Sequence, residues 1–397
     1  MRLIVTMAIA VVASAGMWAI VVILPAVEAE FGTTRAQASL PYTLNMIGFA
    51  LGNFAIGRAV DRFGVTLSLI LAAVGIVAGL WIAIVSQSIA MLSAAQLIIG
   101  FASAVGFGPL MADISHWFVR RRGIAVALVA SGNYLAGAIW PMALASVLEI
   151  SGWRSAYTVI AVTTLVVVIP LAFLLRRQVS AETKDTAQAA STLNAKSAGL
   201  SPRALAYLLG FAGISCCVAM SMPQVHIVAL CVDMGFGPAV GAEMLSLMLL
   251  GGVGSRIVSG LLADRLGGVR TLLIGSVLQT IALFLYLPAG GLVSLYVVSL
   301  VFGLSQGGIV PSYALIVREY MPAKEAGARV GFVLMATIMG MALGGWVSGQ
   351  IYDWTGSYQW AFINGIIWNG FNIAIMLWLL LRSKPKVKTS ARAPQPA

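Results

Sequence analysis

Twelve separate stretches of this chain are apolar over about 20 residues each, the length an α-helix needs to cross a hydrocarbon layer of roughly 30 Å. They run at about 3–27, 40–58, 66–87, 90–113, 123–148, 155–175, 204–231, 241–262, 270–288, 291–316, 328–350 and 360–381. Inside a bilayer no water is present to pair backbone groups, so such stretches must fold as helices. Water could not hold this surface: 9% of the residues are charged and 60% are apolar, against about 25% charged in soluble domains. Soluble enzymes, secreted disulfide scaffolds and disordered chains are excluded. The expected fold is an all-α integral membrane bundle of twelve transmembrane helices. Cys216, Cys217 and Cys231 sit in apolar sequence; their odd number and spacing imply neither a disulfide framework nor a metal site, and they read as small buried hydrophobes.

Connections between stretches are short except over residues 176–203, an Ala/Ser/Thr-rich charged segment that reads as a linker. The expected organisation is a six-helix half at 1–175, the linker at 176–203, a second six-helix half at 204–382 and a basic tail at 383–397. Ala13-Ser14-Ala15 in the first stretch matches the small-residue pattern of a signal-peptidase site. That stretch is uncharged from Leu3 to Val27, longer than the roughly 7–15 apolar residues of a signal peptide, so a retained first helix is expected.

The net charge of +11 comes from 24 basic and 13 acidic residues. Assigning the loops alternately to two sides puts all but three of the basic residues on the side of the N-terminus. Arg35 and Arg154 fall on the other side, beside Glu28, Glu30, Glu149, Asp233 and Asp353, and Arg256 falls inside stretch 8. Cytoplasmic loops carry the excess of Lys and Arg. The asymmetry therefore predicts both termini cytoplasmic, as in a bacterial inner membrane. It reads the basic charge as topology and excludes a nucleic-acid partner.

An internal repeat accompanies the charge pattern. Stretch 2 runs into Gly57-Arg58-Ala59-Val60-Asp61-Arg62-Phe63-Gly64, and stretch 8 into Gly260-Leu261-Leu262-Ala263-Asp264-Arg265-Leu266-Gly267, 203 residues later. Gly123 and Gly327, and likewise Gly152 and Gly356, are 204 residues apart. Duplicated halves of this kind belong to carriers whose site lies between the halves near the midplane. In the repeated loop, glycine permits a tight turn. The Asp61 and Asp264 carboxylates suit the N-terminal amides of a helix in the other half, a contact that would hold the basic side shut in one state. Gly57, Asp61, Arg62, Gly64, Gly260, Asp264, Arg265 and Gly267 are therefore gating candidates. In these residues the chain resembles the major facilitator superfamily, of which the repeated loop is a signature, and the resemblance implies that family's fold over nearly the whole chain.

Phe31-Gly32-Thr33-Thr34-Arg35-Ala36-Gln37, His226 followed by Asp233-Met234-Gly235, and Gly254-Ser255-Arg256 ahead of Gly260 resemble the monocarboxylate and oxalate/formate-type branch. In that branch an arginine at the place of Arg256 is the expected anion ligand. Independently of the resemblance, Arg256 lies eight residues before Asp264, about 12 Å deeper at 1.5 Å per residue. A guanidinium there costs about 2.5–3.5 kcal/mol on insertion scales and faces a cavity or a partner, and its planar fork matches a carboxylate. The alternative is a structural ion pair, for which Glu243 and Asp113 are the available acids.

His226 follows Pro223 in stretch 7 and is a coupling candidate, since imidazole titrates in the useful range; a packing histidine is the alternative. His116, beside Trp117, reads as interfacial. Asn45, Asn133, Tyr134, Gln306 and Tyr313, together with Asn53, Asn364 and Asn369, either line a path or bond helix to helix. Trp18, Tyr42, Tyr134, Trp140 and Tyr313 would stack on a planar ligand if they are not interfacial.

The leading expectation is a secondary active transporter that takes up a small, monocarboxylate-like organic anion by alternating access, coupled to an ion gradient, with a proton or another co-ion. Arg256, Asn133, Tyr134, Gln306, Tyr313 and Asn45 are the substrate-binding candidates. Stretch 1 lacks the charges of the resembling branch, with Met17-Trp18-Ala19-Ile20 in their place. An importer of a larger aromatic or vitamin-like solute such as a flavin is therefore one alternative, and a non-transporting receptor of the same fold another. No nucleotide loop, nucleophile–base set or metal cluster is visible, so neither an enzyme, a metal nor a cofactor is expected, and the chain is expected to be monomeric.

Overall fold

The computed structural model describes residues 1–118, 122–176, 199–321 and 323–382. The regular secondary structure of the described residues is all helical, with no strand among them. Ten stretches are long and apolar enough to cross a membrane. One of them, Ile124–Leu174, has 51 residues and as a straight helix would extend about 76 Å. It turns at Gly152, whose φ of 76° and ψ of 173° interrupt the helix, giving two rods. Arg35–Phe63 supplies a further rod of 29 residues, with Arg58 and Arg62 near its last turn.

We number the resulting twelve rods in chain order. α1 is Arg2–Phe31, bent slightly at Ser14; α2 is Arg35–Phe63, α3 Val65–Ile84, and α4 Ile89–Ser103 continued by Gly108–Trp117. α5 and α6 are 122–151 and 153–174. α7 is Pro202–Asp233, α8 Pro238–Leu266, α9 Gly268–Tyr286, and α10 Leu292–Gln306 continued by Ile309–Tyr320. α11 is Ala323–Thr355 and α12 Gln359–Arg382. The expected linker lies mostly, and the expected basic tail wholly, outside the described residues.

The repeat visible in the sequence recurs in the backbone. Gly64 (φ 84°, ψ 165°) and Gly267 (φ 81°, ψ 167°) end α2 and α8 in the same left-handed turn, which a Cβ would strain. Small residues draw the helices together in the same two places. A Cβ on Gly100 of α4 would lie 1.9 Å from the Asn45 carbonyl of α2, and one on Gly303 of α10 would lie 2.1 Å from the Met248 carbonyl of α8. Between lipid-solvated helices such close approach, not hydrophobicity, drives association.

α1 and α7 are the most enclosed rods. The first six rods meet the last six chiefly through α5 on α8, α2 on α11 and α1 on α7. The interior between them is apolar over long runs: Trp18, Ile20, Ile23 and Leu24 of α1 are each no more than 2% exposed. Polar groups that break this interior are therefore conspicuous.

Candidate functional site

Arg256 sits deep in α8 and is 4% exposed. Its Nε donates to the Gly307 carbonyl at 3.1 Å, and its Nη1 donates to the Ala130 carbonyl of α5 at 2.5 Å. Gly307 lies where α10 breaks between its two helical segments, which exposes carbonyls that a continuous helix would use. The Tyr134 ring of α5 lies 4.2 Å from the guanidinium carbon, a cation–π contact. A Cβ on Gly252, one turn before Arg256, would come within 2.8 Å of that ring, so glycine there lets Tyr134 approach α8. The guanidinium thus joins the two sets of six rods.

Neither acid that the sequence offered as a partner pairs with Arg256. Asp113 is held by Arg2 in a bidentate bridge, with oxygens 2.9–3.0 Å from the guanidinium nitrogens. Glu243 accepts from the Tyr296 hydroxyl. No ion pair among the described residues involves Arg256. Two carbonyl dipoles and a ring face offset part of the cost of burying a cation, but they leave its charge uncompensated.

Around Arg256 the structure adds residues that the sequence reading passed over or treated only as aromatic surface. Gln224 of α7 donates from Nε2 to Gln306 Oε1 at 2.6 Å, and Gln306 adjoins Gly307. Both glutamines are fully buried, and the Gln306 Nε2 has no partner. Tyr42 of α2 is 1% exposed, its hydroxyl also lacks a partner, and it shares the space over Gly345 with Val225, the neighbour of Gln224: a Cβ on Gly345 would lie 3.0 Å from the Tyr42 ring and 3.3 Å from Val225. Orphaned buried polar groups are uncommon in folded proteins and ask for an explanation.

Other sequence candidates are engaged elsewhere. Asn45 donates to Gln96 Oε1 at 2.5 Å, and Gln96 donates to the Tyr157 hydroxyl at 2.7 Å, a chain within the first six rods. Tyr313 donates to Asn372 Oδ1 at 2.7 Å, and Asn369 donates to the Ser276 carbonyl and to Thr280. The Asn133 carbonyl accepts from the Trp18 indole at 2.8 Å, and its side chain reaches Ser14 at 3.4 Å. The Trp140 indole donates to the Val11 carbonyl at 3.1 Å. Asn53 accepts from the Gly108 amide, and Asn364 is half-buried on α12. Apart from Asn364, these residues bond helix to helix.

Of the repeated loop, Asp264 and Arg265 are exposed at the end of α8 and make no hydrogen bond or ion pair among the described residues. Gly57 and Gly260 face open space, and Arg62 lies over the Phe63 ring at 5.2 Å. The side chains of Asp61 and His116 lie outside the described residues. His226 is fully buried near the opposite end, between the Tyr358 hydroxyl and the Gly345 carbonyl.

These features define a polytopic helical membrane protein in which two similarly turned sets of rods meet on a buried, unpaired cation. The chain belongs to the Major Facilitator Superfamily, whose sequence model matches residues 6–328 and 234–397. It is 27% identical over 269 residues to Monocarboxylate transporter 13 of Rattus norvegicus, covering 67% of this chain and 62% of the rat protein. It is 24% identical over 324 residues to MFS-type transporter pynF of Aspergillus niger, covering 81% and 73% respectively. Over 371 residues it is 25% identical to the uncharacterized MFS-type transporter YcxA of Bacillus subtilis, covering 89% and 88%. The chain thus spans about three fifths of the rat protein and most of the bacterial one.

Proposed function

We propose that the protein is a secondary carrier for a small organic anion with a carboxylate that docks on Arg256. The observation that carries this reading is the guanidinium itself, buried, shared by α5 and α8, and without an acidic partner. Its remaining donor fork matches a carboxylate, and the unpartnered Tyr42 hydroxyl and Gln306 amide suit further polar atoms of the same solute. A site shared between the two sets of rods is emptied and refilled as they rock, the basis of alternating access. The matched relative named as a monocarboxylate transporter supports the same substrate class. We read the carrier as a monomer in a bacterial inner membrane, with both termini cytoplasmic and uptake coupled to a co-ion; the basic residues of the N-terminal side support that orientation.

Of the aromatic residues that would stack on a flat ring, all but Tyr42 are engaged by other groups. The Trp18 and Trp140 indoles donate to backbone carbonyls, Tyr313 to Asn372, and the Tyr134 face carries Arg256. This favours a small anion over a flavin-like solute.

The test is binding by thermal shift together with counterflow in proteoliposomes, using a panel of short monocarboxylates and a flavin against wild type, Arg256→Gln and Arg256→Lys. A lost charge-assisted bond is worth about 1.5–3 kcal/mol, so carboxylate affinity should fall roughly 10- to 100-fold in Arg256→Gln, and less in Arg256→Lys, which keeps the charge without the planar fork. Carboxylate affinity unchanged in Arg256→Gln, or a flavin retained as the sole ligand, would overturn the reading. Binding without any counterflow would indicate a receptor.

A further inference from the structure

The end of the molecule opposite the repeated loops is tied shut by a cluster that crosses between the two sets of rods. At the start of α2, Thr34 and Gln37 form a capping box. The next two amides, of Arg35 and Ala36, donate to the Asp353 carboxylate of α11 at 2.8 and 2.9 Å. A carboxylate from one set of rods thus caps a helix of the other, where the helix dipole favours an anion. Gly349 permits the approach, since a Cβ there would lie 2.9 Å from the Ala36 Cα.

The Arg35 side chain, 6% exposed, completes the tie. Nη1 and Nη2 donate to Asp233 at the end of α7 at 3.2 and 3.0 Å, and Nε pairs with Glu28 of α1 at 2.6 Å. Nη1 also donates to the Tyr358 hydroxyl at 2.7 Å. Tyr358 in turn lies 3.0 Å from His226 Nδ1, and His226 Nε2 lies 2.8 Å from the Gly345 carbonyl.

Proton positions follow from this chain of contacts. Arginine only donates and a carbonyl only accepts. Tyr358 therefore accepts from Arg35 and has its own proton to give to His226 Nδ1, while Nε2 carries the imidazole proton and donates to Gly345. The pattern is complete with a neutral imidazole. A second proton, on Nδ1, would leave the Tyr358 proton without an acceptor and set two cations on one phenol oxygen, within about 6 Å of each other. The charged or titratable groups around His226 are Glu28 of α1, Arg35 of α2, Asp233 of its own helix, Tyr352 and Asp353 of α11, and Tyr358 at the start of α12. Gly345 connects the chain to the central site, because a Cβ there would come within 3.0 Å of the Tyr42 ring.

We propose that Arg35, Asp353, Tyr358 and His226 form the gate at this end, that it closes only over a neutral His226, and that protonation of His226 opens it. The open state binds one more proton than the closed state, so acid favours opening, by up to about tenfold in the open-to-closed ratio per pH unit.

Spin labels at Gln87→Cys, between α3 and α4, and Gly290→Cys, between α9 and α10, measure the gap across this end in the full-length protein in lipid. The native Cys216, Cys217 and Cys231 are buried and need not be removed. Wild type is expected to show a short distance at about pH 8 and a growing longer one toward about pH 5. His226→Gln, whose amide can accept from Tyr358 and donate to Gly345, is expected to stay short at both pH values. Asp353→Asn, which removes the charge and one acceptor from the cap, is expected to show the longer distance already at about pH 8.

Wild-type distances that ignore pH would overturn the proposal. So would His226→Gln retaining the wild-type pH response, which would assign the proton to one of the carboxylates, or Asp353→Asn remaining as closed as wild type. The proposal rests on the alternating-access carrier described above. The distances are read without substrate, however, so failure of the gate leaves anion binding at Arg256 standing, and loss of anion binding leaves the gate standing.

Discussion

Among single residues, an orphaned hydroxyl separates structural roles from functional ones most cleanly. A buried polar group without a partner costs about 1–3 kcal/mol, and Tyr42 holds one beside the central site. Replacing Tyr42 by phenylalanine removes that cost and keeps the ring that packs on Gly345. Tyr42→Phe is therefore expected to melt at the same temperature as wild type or higher, while its affinity for the proposed carboxylate falls about tenfold. Equal affinity with raised stability would make the hydroxyl a packing defect. Arg256 was legible from sequence because a cation in an apolar stretch has few reasons to be there. Asn45 and Tyr313 were not separable from the residues around Arg256: a polar side chain within a membrane helix looks the same in sequence whether it faces the centre or a neighbouring rod. Arg35 was visible within a short segment, but its partners Asp233 and Tyr358 lie 198 and 323 positions away, a separation that no local pattern bridges.

At the scale of helices, close backbone approach fixes which rods pair. The α2–α4 and α8–α10 seams rest on equivalent small residues, with Gly100 against Asn45 and Gly303 against Met248. A branched side chain at Gly303 would meet backbone rather than a movable side chain, and overpacking of that kind costs about 1–3 kcal/mol or more. Gly303→Val is expected to lower the melting temperature in detergent. It should also weaken anion binding, because Gly307, one turn along α10, supplies a carbonyl to Arg256. Gly254→Val, at a position facing open space, serves as the control and should change neither. A variant at Gly303 as stable as wild type would show that the seam opens without cost. Element boundaries were read short from sequence because hydropathy stops at the first charge while the helical hydrogen bonds do not. The second stretch was expected at 40–58, yet α2 runs from Arg35 to Phe63, and the five residues gained at its start include Arg35.

For the molecule as a whole, the number of crossings decides what the charge asymmetry means. Among the described residues, ten stretches qualify as membrane spans by length and composition. Two further crossings follow if the chain turns back at Gly152 and if α2 also spans. A single 51-residue helix through a hydrocarbon core of roughly 30 Å would leave more than half its length outside, and the residues on both sides of Gly152 are largely apolar, which makes that arrangement costly. With twelve crossings, Ser151 and Gln87 lie on the face that carries Arg35 and Arg154, and Arg203 lies on the opposite, basic face. Single cysteines at Ser151, Gln87 and Arg203, probed with a membrane-impermeant thiol reagent in sealed right-side-out and inverted vesicles, test this directly. Ser151→Cys and Gln87→Cys are expected to react in right-side-out vesicles, and Arg203→Cys only after inversion. Ser151→Cys and Arg203→Cys reacting from the same side would remove one crossing, scatter the basic residues over both faces and leave the charge asymmetry without its physical cause.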